Sequence, residues 1–313
     1  MSVLLVDLGN TRIKWARLGA SGPGRMRAAA HRGWRRVDFM RALFTARVVQ
    51  VIAVSVAAPA VERRFAAAVR AATGAAPQFV RSERAAGGVR NGYRDVWRLG
   101  ADRWVALVGA RACVARRAAC VVDVGTATTI DLLDATGRHR GGAILPGPDL
   151  MIDALLRDTG GIRRRAQQRA ARGAPCSFAR DTTAALRAGA ALATAGAIEH
   201  AWRDAVRALG VKPQLLLTGG AAVVISARLA LRHQRVPDLV LRGLAVLAGT
   251  AARALRSRPH APAVPVTVVR QPGAVRLDAL ARARGGLGNL ESGARGSADP
   301  AGRRTGASRG YRR

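Results

Sequence analysis

Short, nearly unbroken apolar runs alternate along the chain with longer stretches of helical spacing, the pattern of an α/β protein with buried strands. Val3–Leu8 is apolar except for Asp7 and runs straight into Gly9 and Asn10. It predicts a buried strand and a tight turn, with Ile13, Trp15 and Leu18 in a second strand. Val48–Val56 is another β-rich run, stopped by Pro59. Val61–Thr73 has helical spacing and closes on Gly74, as a helix C-terminus should. Asp102–Arg117 sets Val105, Leu107, Val108 and Ala112 at helical intervals. Cys120–Val124, Gly125–Ala127 and Thr128–Leu133 read as strand, turn and returning strand. Thr182–Leu209 is a long Ala-rich helix ended by Gly210. Leu215–Leu217 is a strand leading into Thr218, Gly219 and Gly220, and Asp238–Leu255 is the last helix.

Beyond Arg256 the pattern lapses into Pro, Gly, Ser, Ala and Arg, with Val264–Val269 the one strand-like piece. From Arg284 onward too little apolar area is available to offset chain entropy. The expected organisation is an N-terminal half over 1–117, a second half over 118–256, and a largely disordered basic tail over 257–313. One echo supports two halves. Val6-Asp7-Leu8-Gly9-Asn10-Thr11 resembles Val122-Asp123-Val124-Gly125-Thr126, and in both an apolar strand ends in Asp, one residue and Gly. The copies are too far apart for a solenoid, so they suggest related half-domains facing across a cleft.

Composition narrows the class. At 313 residues and 49% hydrophobic, the chain can bury a sizeable core, filled by Leu, Val, Ile and Ala because aromatics are 4%. No apolar run approaches the ~20 residues of a membrane span. The N-terminus lacks a basic start and holds Asp7, so it does not read as a signal peptide. Cys113, Cys120 and Cys176 are odd in number and lack CxxC spacing, which argues against disulfides and zinc. A soluble, cytoplasmic protein is expected. The net charge of +33 first suggests nucleic acid. Apart from Lys14 and Lys212, however, every basic residue is Arg, and Ala and Gly are abundant too, the mark of GC-rich coding drift. Residues 253–313 hold 13 Arg against three acids, and no stretch interleaves basic with aromatic residues. Nucleic acid is therefore not the expected partner.

The turns carry the candidate chemistry. Gly9 lets backbone N–H groups approach an anion, with Asn10 and Thr11 as further donors. Asp7 would repel phosphate and instead suits Mg²⁺, held through water, while Lys14 supplies a compensating charge. Asp123, Gly125 and Thr126 fit parallel roles with a cation and the outer phosphates. A single such turn reads as an ordinary hairpin; the repetition favours phosphate binding. Gly219 and Gly220 would let a flat ring lie on bare backbone, or form a plain strand-to-helix loop. Asp102, in Gly100-Ala101-Asp102-Arg103, stands at a helix start. It reads equally as a cap or as a general base, with Arg103 able to pair a substrate carboxylate. The five histidines, at 31, 139, 200, 233 and 260, form no ligand spacing, and Arg163–Arg165 reads as a solvated face.

Paired DxG hairpins and a late strand-Gly-Gly resemble the actin-like (ribonuclease H-like) superfamily of kinases and ATPases. Within it the chain is similar to type III pantothenate kinases from about Val3 to Ala254. The first phosphate motif is carried by Asp7, Leu8, Gly9, Asn10, Thr11, Arg12, Ile13 and Lys14. The GxDR substrate motif is Gly100, Ala101, Asp102 and Arg103, and the second phosphate motif runs from Asp123 to Asp131. Gly141–Gly147 with Met151 and Leu155, Thr182 before Gly189, Thr218–Gly220, and Tyr93 complete the series in order.

The resemblance implies mixed sheets flanked by helices and ATP-dependent phosphorylation of pantothenate, the first step of coenzyme A synthesis. It implies Asp102 as the base, and Tyr93, Gly100, Ala101, Asp102, Arg103 and Thr182 around pantothenate. Residues 7–14, Thr126, Gly219 and Gly220 would contact ATP. Asp123 would hold K⁺ or NH₄⁺ beside the Mg²⁺ of the nucleotide, in a homodimer with its substrate site near the interface. Thr159 is followed by Gly160 and Gly161 where the family often has Leu-Pro, and the Arg-rich tail has no counterpart. The alternatives are an actin-like kinase for another small alcohol and an accessory transcriptional regulator. Retention of Asp7, Asp102 and Asp123 argues against the second.

Overall fold

The computed structural model describes residues 2–166 and 178–256. The tail expected over 257–313, its strand-like Val264–Val269 and Cys176 lie outside the described residues. In chain order the strands are β1 (Val3–Leu8), β2 (Arg12–Gly19), β3 (Gly22–Pro23), β4 (Arg27–Ala30), β5 (Gln50–Ser55), β6 (Gln78–Phe79), β7 (Ala85–Ala86), β8 (Val89–Arg90), β9 (Ala119–Val124), β10 (Ala127–Leu133), β11 (His139–Pro146), β12 (Gln214–Thr218) and β13 (His233–Arg235). The helices are α1 (Arg36–Leu43), α2 (Pro59–Thr73), α3 (Ala101–Val114), α4 (Pro148–Asp158), α5 (Gly160–Ala166), α6 (Thr182–Leu209), α7 (Ala222–Ser226) and α8 (Leu239–Arg256).

Two sheets repeat one topology. The first has the order β3-β2-β1-β5-β6, with β4 also on β2; the second has β11-β10-β9-β12-β13. In each, an antiparallel hairpin (β1–β2, β9–β10) is followed by a parallel neighbour (β5, β12). The sequence echo is thus an architectural one, and the fold is the expected α/β arrangement of mixed sheets flanked by helices.

The two-residue period of a strand decides what faces what. Leu4, Val6 and Leu8 pack with Phe39, Leu43, Phe65 and Val69 of α1 and α2. Val122 and Val124 pack with Ala191, Ala195 and Ile198 of α6. The opposite faces, through Leu5 and Val121, share one core with α3 and α8. Asp7 is two residues beyond Leu5, and Asp123 two beyond Val121. The same pleat therefore turns both carboxylates toward the middle layer. Close backbone approach fixes that layer: a Cβ on Gly109 of α3 would lie 2.2 Å from the Leu239 carbonyl oxygen of α8.

Several boundaries differ from the sequence expectation for identifiable reasons. Pro59 opens α2 rather than only stopping the strand before it, since the first helical turn needs no N–H from that residue. Gly74 and Gly210 cap α2 and α6 in the left-handed conformation, at φ 74° and 67°. α3 stops at Val114, where Ala115 takes φ 53°, short of the expected Arg117. The run Arg163–Arg165 is exposed on α5. No described helix is long and apolar enough to cross a membrane.

Candidate active site

The two phosphate-type turns meet. Thr11 Oγ1 and Thr126 Oγ1, from the β1–β2 and β9–β10 turns, lie 2.9 Å apart. Each turn is closed by its own glycine: the Gly9 N–H donates to the Arg12 carbonyl at 3.0 Å, and the Gly125 N–H to that of Ala127 at 3.0 Å. Those two N–H groups are therefore already engaged, which narrows the expected cradle to the residues that follow them. Gly147 at the start of α4 packs on the second turn, its N–H donating to the Thr126 carbonyl at 2.9 Å. A Cβ there would lie 2.1 Å from the Gly125 carbonyl oxygen.

Three carboxylates stand close enough to feel one another, two of them beside one lysine. Asp7 and Lys14 are cross-strand partners, with Lys14 Nζ 3.7 Å from Asp7 Oδ2. Asp7 is buried, and desolvation raises its pKa to about 6. Lys14 opposes that rise, and the charges of Asp123 and Asp102 add to it. Burial likewise raises Asp123 and Asp102 above the usual carboxylate range. Lys14 lowers Asp123, while Asp102 raises it. Asp7 and Asp123 share a single lysine, so with both ionised the site is short of positive charge, which fits a bound cation beside the turns. Among the described residues, no cluster of three or more His, Cys, Asp or Glu has the geometry of a ready-made metal cage.

Gly219 joins this centre. It has φ 101°, and a Cβ on it would lie 2.5 Å from Asp123 Oδ1 and 2.4 Å from the Val124 carbonyl oxygen. Its neighbour Thr218 pairs with Asp123 in the parallel β12–β9 register. Gly220 has open space around it.

Gly100, not Asp102, is the N-cap of α3. Asp102 therefore stands in the first turn rather than at the cap position. Its Oδ1 instead accepts from the Arg103 N–H at 2.8 Å, beside Gly100, where any Cβ would lie 2.7 Å from that oxygen. Arg103 is 6% exposed and does not present an open fork. Its Nε and Nη2 donate to Asp131 Oδ2 and Oδ1 at 2.9 and 2.6 Å, and its Nη1 donates to the Tyr93 hydroxyl at 3.1 Å. The side-on edge expected to pair a substrate carboxylate is thus occupied by Asp131.

Tyr93, Ala101, Asp102 and Arg103 are brought together. Thr182 stands apart, at the start of α6 behind the Asp181 N-cap. It lines a concavity of about 420 Å³ with Met151, Ile152, Leu155, Leu186 and Gly189.

Two histidines dismissed as scattered support the site. His31 donates from Nε2 to the Gly9 carbonyl at 2.8 Å, and its N–H reaches the Thr11 carbonyl at 3.3 Å. His139 donates from Nε2 to Asp131 Oδ1 at 2.9 Å. Neither pairing has a sequence signature, because each depends on the register between paired strands.

Comparison with known proteins agrees with this geometry. A family model described as type III pantothenate kinase matches residues 3–204. The type III pantothenate kinase of Aromatoleum aromaticum is 42% identical over 260 residues, covering 79% of this chain and 97% of that protein. That of Halorhodospira halophila is 42% identical over 255 residues, covering 77% and 95%. Among solved structures, a Campylobacter jejuni protein described as a Baf-family transcriptional activator superposes with a TM-score of 0.50. Its identity is 18%, over 80% of this chain and 99% of that one, so the likeness bears on fold alone. With the family model spanning most of the described chain and the motif residues converging as above, this chain belongs to the type III pantothenate kinase family.

Proposed function

We propose that this protein transfers the γ-phosphoryl group of ATP to the primary hydroxyl of pantothenate, giving 4′-phosphopantothenate for coenzyme A synthesis. The observation that carries the reading is the convergence of Asp7, Asp102 and Asp123 from two sheets and the helix between them, with Lys14 beside Asp7 and Asp123. Phosphoryl transfer depends on positioning and charge neutralisation more than on covalent help, and this arrangement supplies both.

Asp102 is the base. It accepts the hydroxyl proton as the oxygen bonds to the γ-phosphorus, the bond to the β–γ bridging oxygen breaks, and ADP leaves with that electron pair. Burial raises its pKa, so the carboxylate accepts a proton more readily than an exposed one. Gly100 and Ala101 shape the first turn of α3 around it. Arg103 and Tyr93 hold pantothenate through the guanidinium edge and hydroxyl left beyond their mutual bond. Leu8 to Ile13 and Thr126 surround the triphosphate, with Asn10 and Thr11 as donors and Lys14 as point charge. Gly219 and Gly220 leave bare backbone for the adenosine.

Asp7 would hold Mg²⁺ through water and Asp123 a monovalent cation, K⁺ or NH₄⁺; such ions neutralise charge on the phosphates when bound. The proposed halves, 1–117 and 118–256, would each be built on one of the two sheets. A homodimer would cover the exposed Ile144, Leu150, Leu155 and Leu192 on β11, α4 and α6 and would bring Thr182 of the adjoining concavity into the substrate site. Light scattering on the purified protein tests that state.

The deciding experiment is coupled ADP release with ATP and Mg²⁺, with and without pantothenate and K⁺. Pantothenate-dependent release is expected. ATP binding without such release would point to another alcohol or to the regulatory alternative. In the regulatory case, DNA affinity should fall steeply with salt.

A further inference from the structure

His139 is 1% exposed; it stacks on Tyr93 and, through Asp131, reaches Arg103, both among the residues assigned to pantothenate. Its Nε2–H donates to Asp131 Oδ1, because an ionised carboxylate can only accept. Asp131 in turn grips Arg103 side-on at 2.6 and 2.9 Å. The imidazole also stacks under Tyr93, with ring centroids 5.7 Å apart and planes 15° from parallel. The hydroxyl of Tyr93 accepts from Arg103. The four side chains therefore close a ring of contacts, with Arg103 and Tyr93 on the substrate side and Asp131 and His139 behind them.

The backbone is built to place His139 there. β10 and β11 pair regularly from Ala127↔Pro146 to Asp131↔Gly142, and then shift so that Leu133 faces His139. Continued regular pairing would set Arg140 opposite Leu133. The bulge lies at Gly141, whose φ of 110° suits a residue without Cβ. It turns His139 onto the face that Asp131 and Leu133 share and leaves Arg140 outside, where it meets Asp134 at 3.7 Å. Bulges of this kind re-aim a side chain beside functional sites. Packing closes the remaining freedom. A Cβ on Gly142 would lie 2.4 Å from Asp131 Oδ1, and one on Gly92 would lie 2.0 Å from the His139 carbonyl oxygen.

We propose that His139 is a positioning residue for pantothenate, acting through Asp131 on Arg103 and through ring stacking on Tyr93. The proposal rests on the reading of Arg103 and Tyr93 as substrate-holding residues. Its effect is on how the substrate is held, not on the nucleotide. A buried guanidinium with one carboxylate edge engaged can still rock about that edge. The second donor on Asp131 and the stacked ring remove that motion and fix the edge that pantothenate meets.

The test is steady-state kinetics of the full chain with His139→Phe, which keeps a stacking ring and loses the donor, and His139→Gln, which keeps a donor near the Nε2 position. Arg103→Ala serves as the control, and thermal melts run alongside. His139→Phe should raise the KM for pantothenate about tenfold, the scale of one hydrogen bond to a charged group. The KM for ATP and the Tm should stay near wild type, and His139→Gln should recover most of the loss. A wild-type pantothenate KM in His139→Phe overturns the proposal. So does a parallel rise in both KM values with a lowered Tm, which would make the residue merely structural. If the Phe variant does not fold, His139→Asn, too short to reach Asp131, carries the same expectation. An unchanged pantothenate KM in Arg103→Ala would instead overturn the assignment of Arg103 itself.

Discussion

Thr11 and Thr126 touch, Oγ1 to Oγ1 at 2.9 Å, although 115 residues separate them. Their contact ties the turn of one sheet to the turn of the other, where on the proposed reading both would face the triphosphate. Thr126→Ala should raise the KM for ATP by about three- to tenfold, the range of one neutral hydrogen bond, and leave the pantothenate KM nearly unchanged. Initial-rate kinetics with each substrate varied separately checks this.

Asp102→Asn should lower kcat by at least about a hundredfold, the lower range for loss of a general base, while ATP binding measured by calorimetry persists. In the wild type the base must be ionised, so kcat/KM for pantothenate should fall as pH drops. The raised pKa of Asp102 sets that limb above the ordinary carboxylate value of 3.8. Asp7 titrates nearby and is coupled to Asp102, so the limb belongs to the group as a whole. Near-normal turnover in Asp102→Asn would refute the assignment.

Asp7 carries a stability cost in the free protein. Its folded pKa, about 6, lies above the ordinary value of 3.8, so the folded state holds its proton more tightly than the unfolded chain. Stability from this group is complete below pH ~4 and lost as pH rises through ~6. At roughly 1.4 kcal/mol per unit, the penalty above pH 6 is on the order of 3 kcal/mol. Asp7→Asn should therefore raise the Tm of the nucleotide-free protein at pH 8, have little effect at pH 4, and abolish turnover. A melt series across pH, without nucleotide, reads it out.

His31 braces the first phosphate turn through the Gly9 carbonyl. His31→Phe should raise the KM for ATP several-fold, with His31→Gln closer to wild type. A change confined to pantothenate would contradict that role.

Asp123→Asn should remove any stimulation by K⁺ or NH₄⁺ and leave a low, cation-independent rate. Titrating KCl against activity in both proteins decides it. Persistent stimulation in the variant would move the monovalent cation elsewhere.

The strands carrying the motifs were legible because their apolar runs are unambiguous. Val3–Leu8, Thr182–Leu209 and the glycine stops at Gly74 and Gly210 stand where the pattern puts them. α1 and β11 were not legible. α1 buries only Phe39 and Leu43 among flanking arginines, and β11 contains a Gly-Gly pair and ends in Pro, so neither presents a clean period.

The sequence alone determined the two phosphate turns, the base candidate and their order, because these depend on local chemistry: an acid at a strand end, a glycine in a turn, an acid at a helix start. The tertiary structure decided that Asp131 takes one edge of Arg103 and that His31 and His139 bond to Gly9 and Asp131. It also set Thr182 apart from Tyr93. The histidine contacts rest on how β4 pairs with β2 and β11 with β10, and on one bulge at Gly141. Each residue of such a pair looks ordinary in its own neighbourhood, and the contact exists only once the sheets are paired.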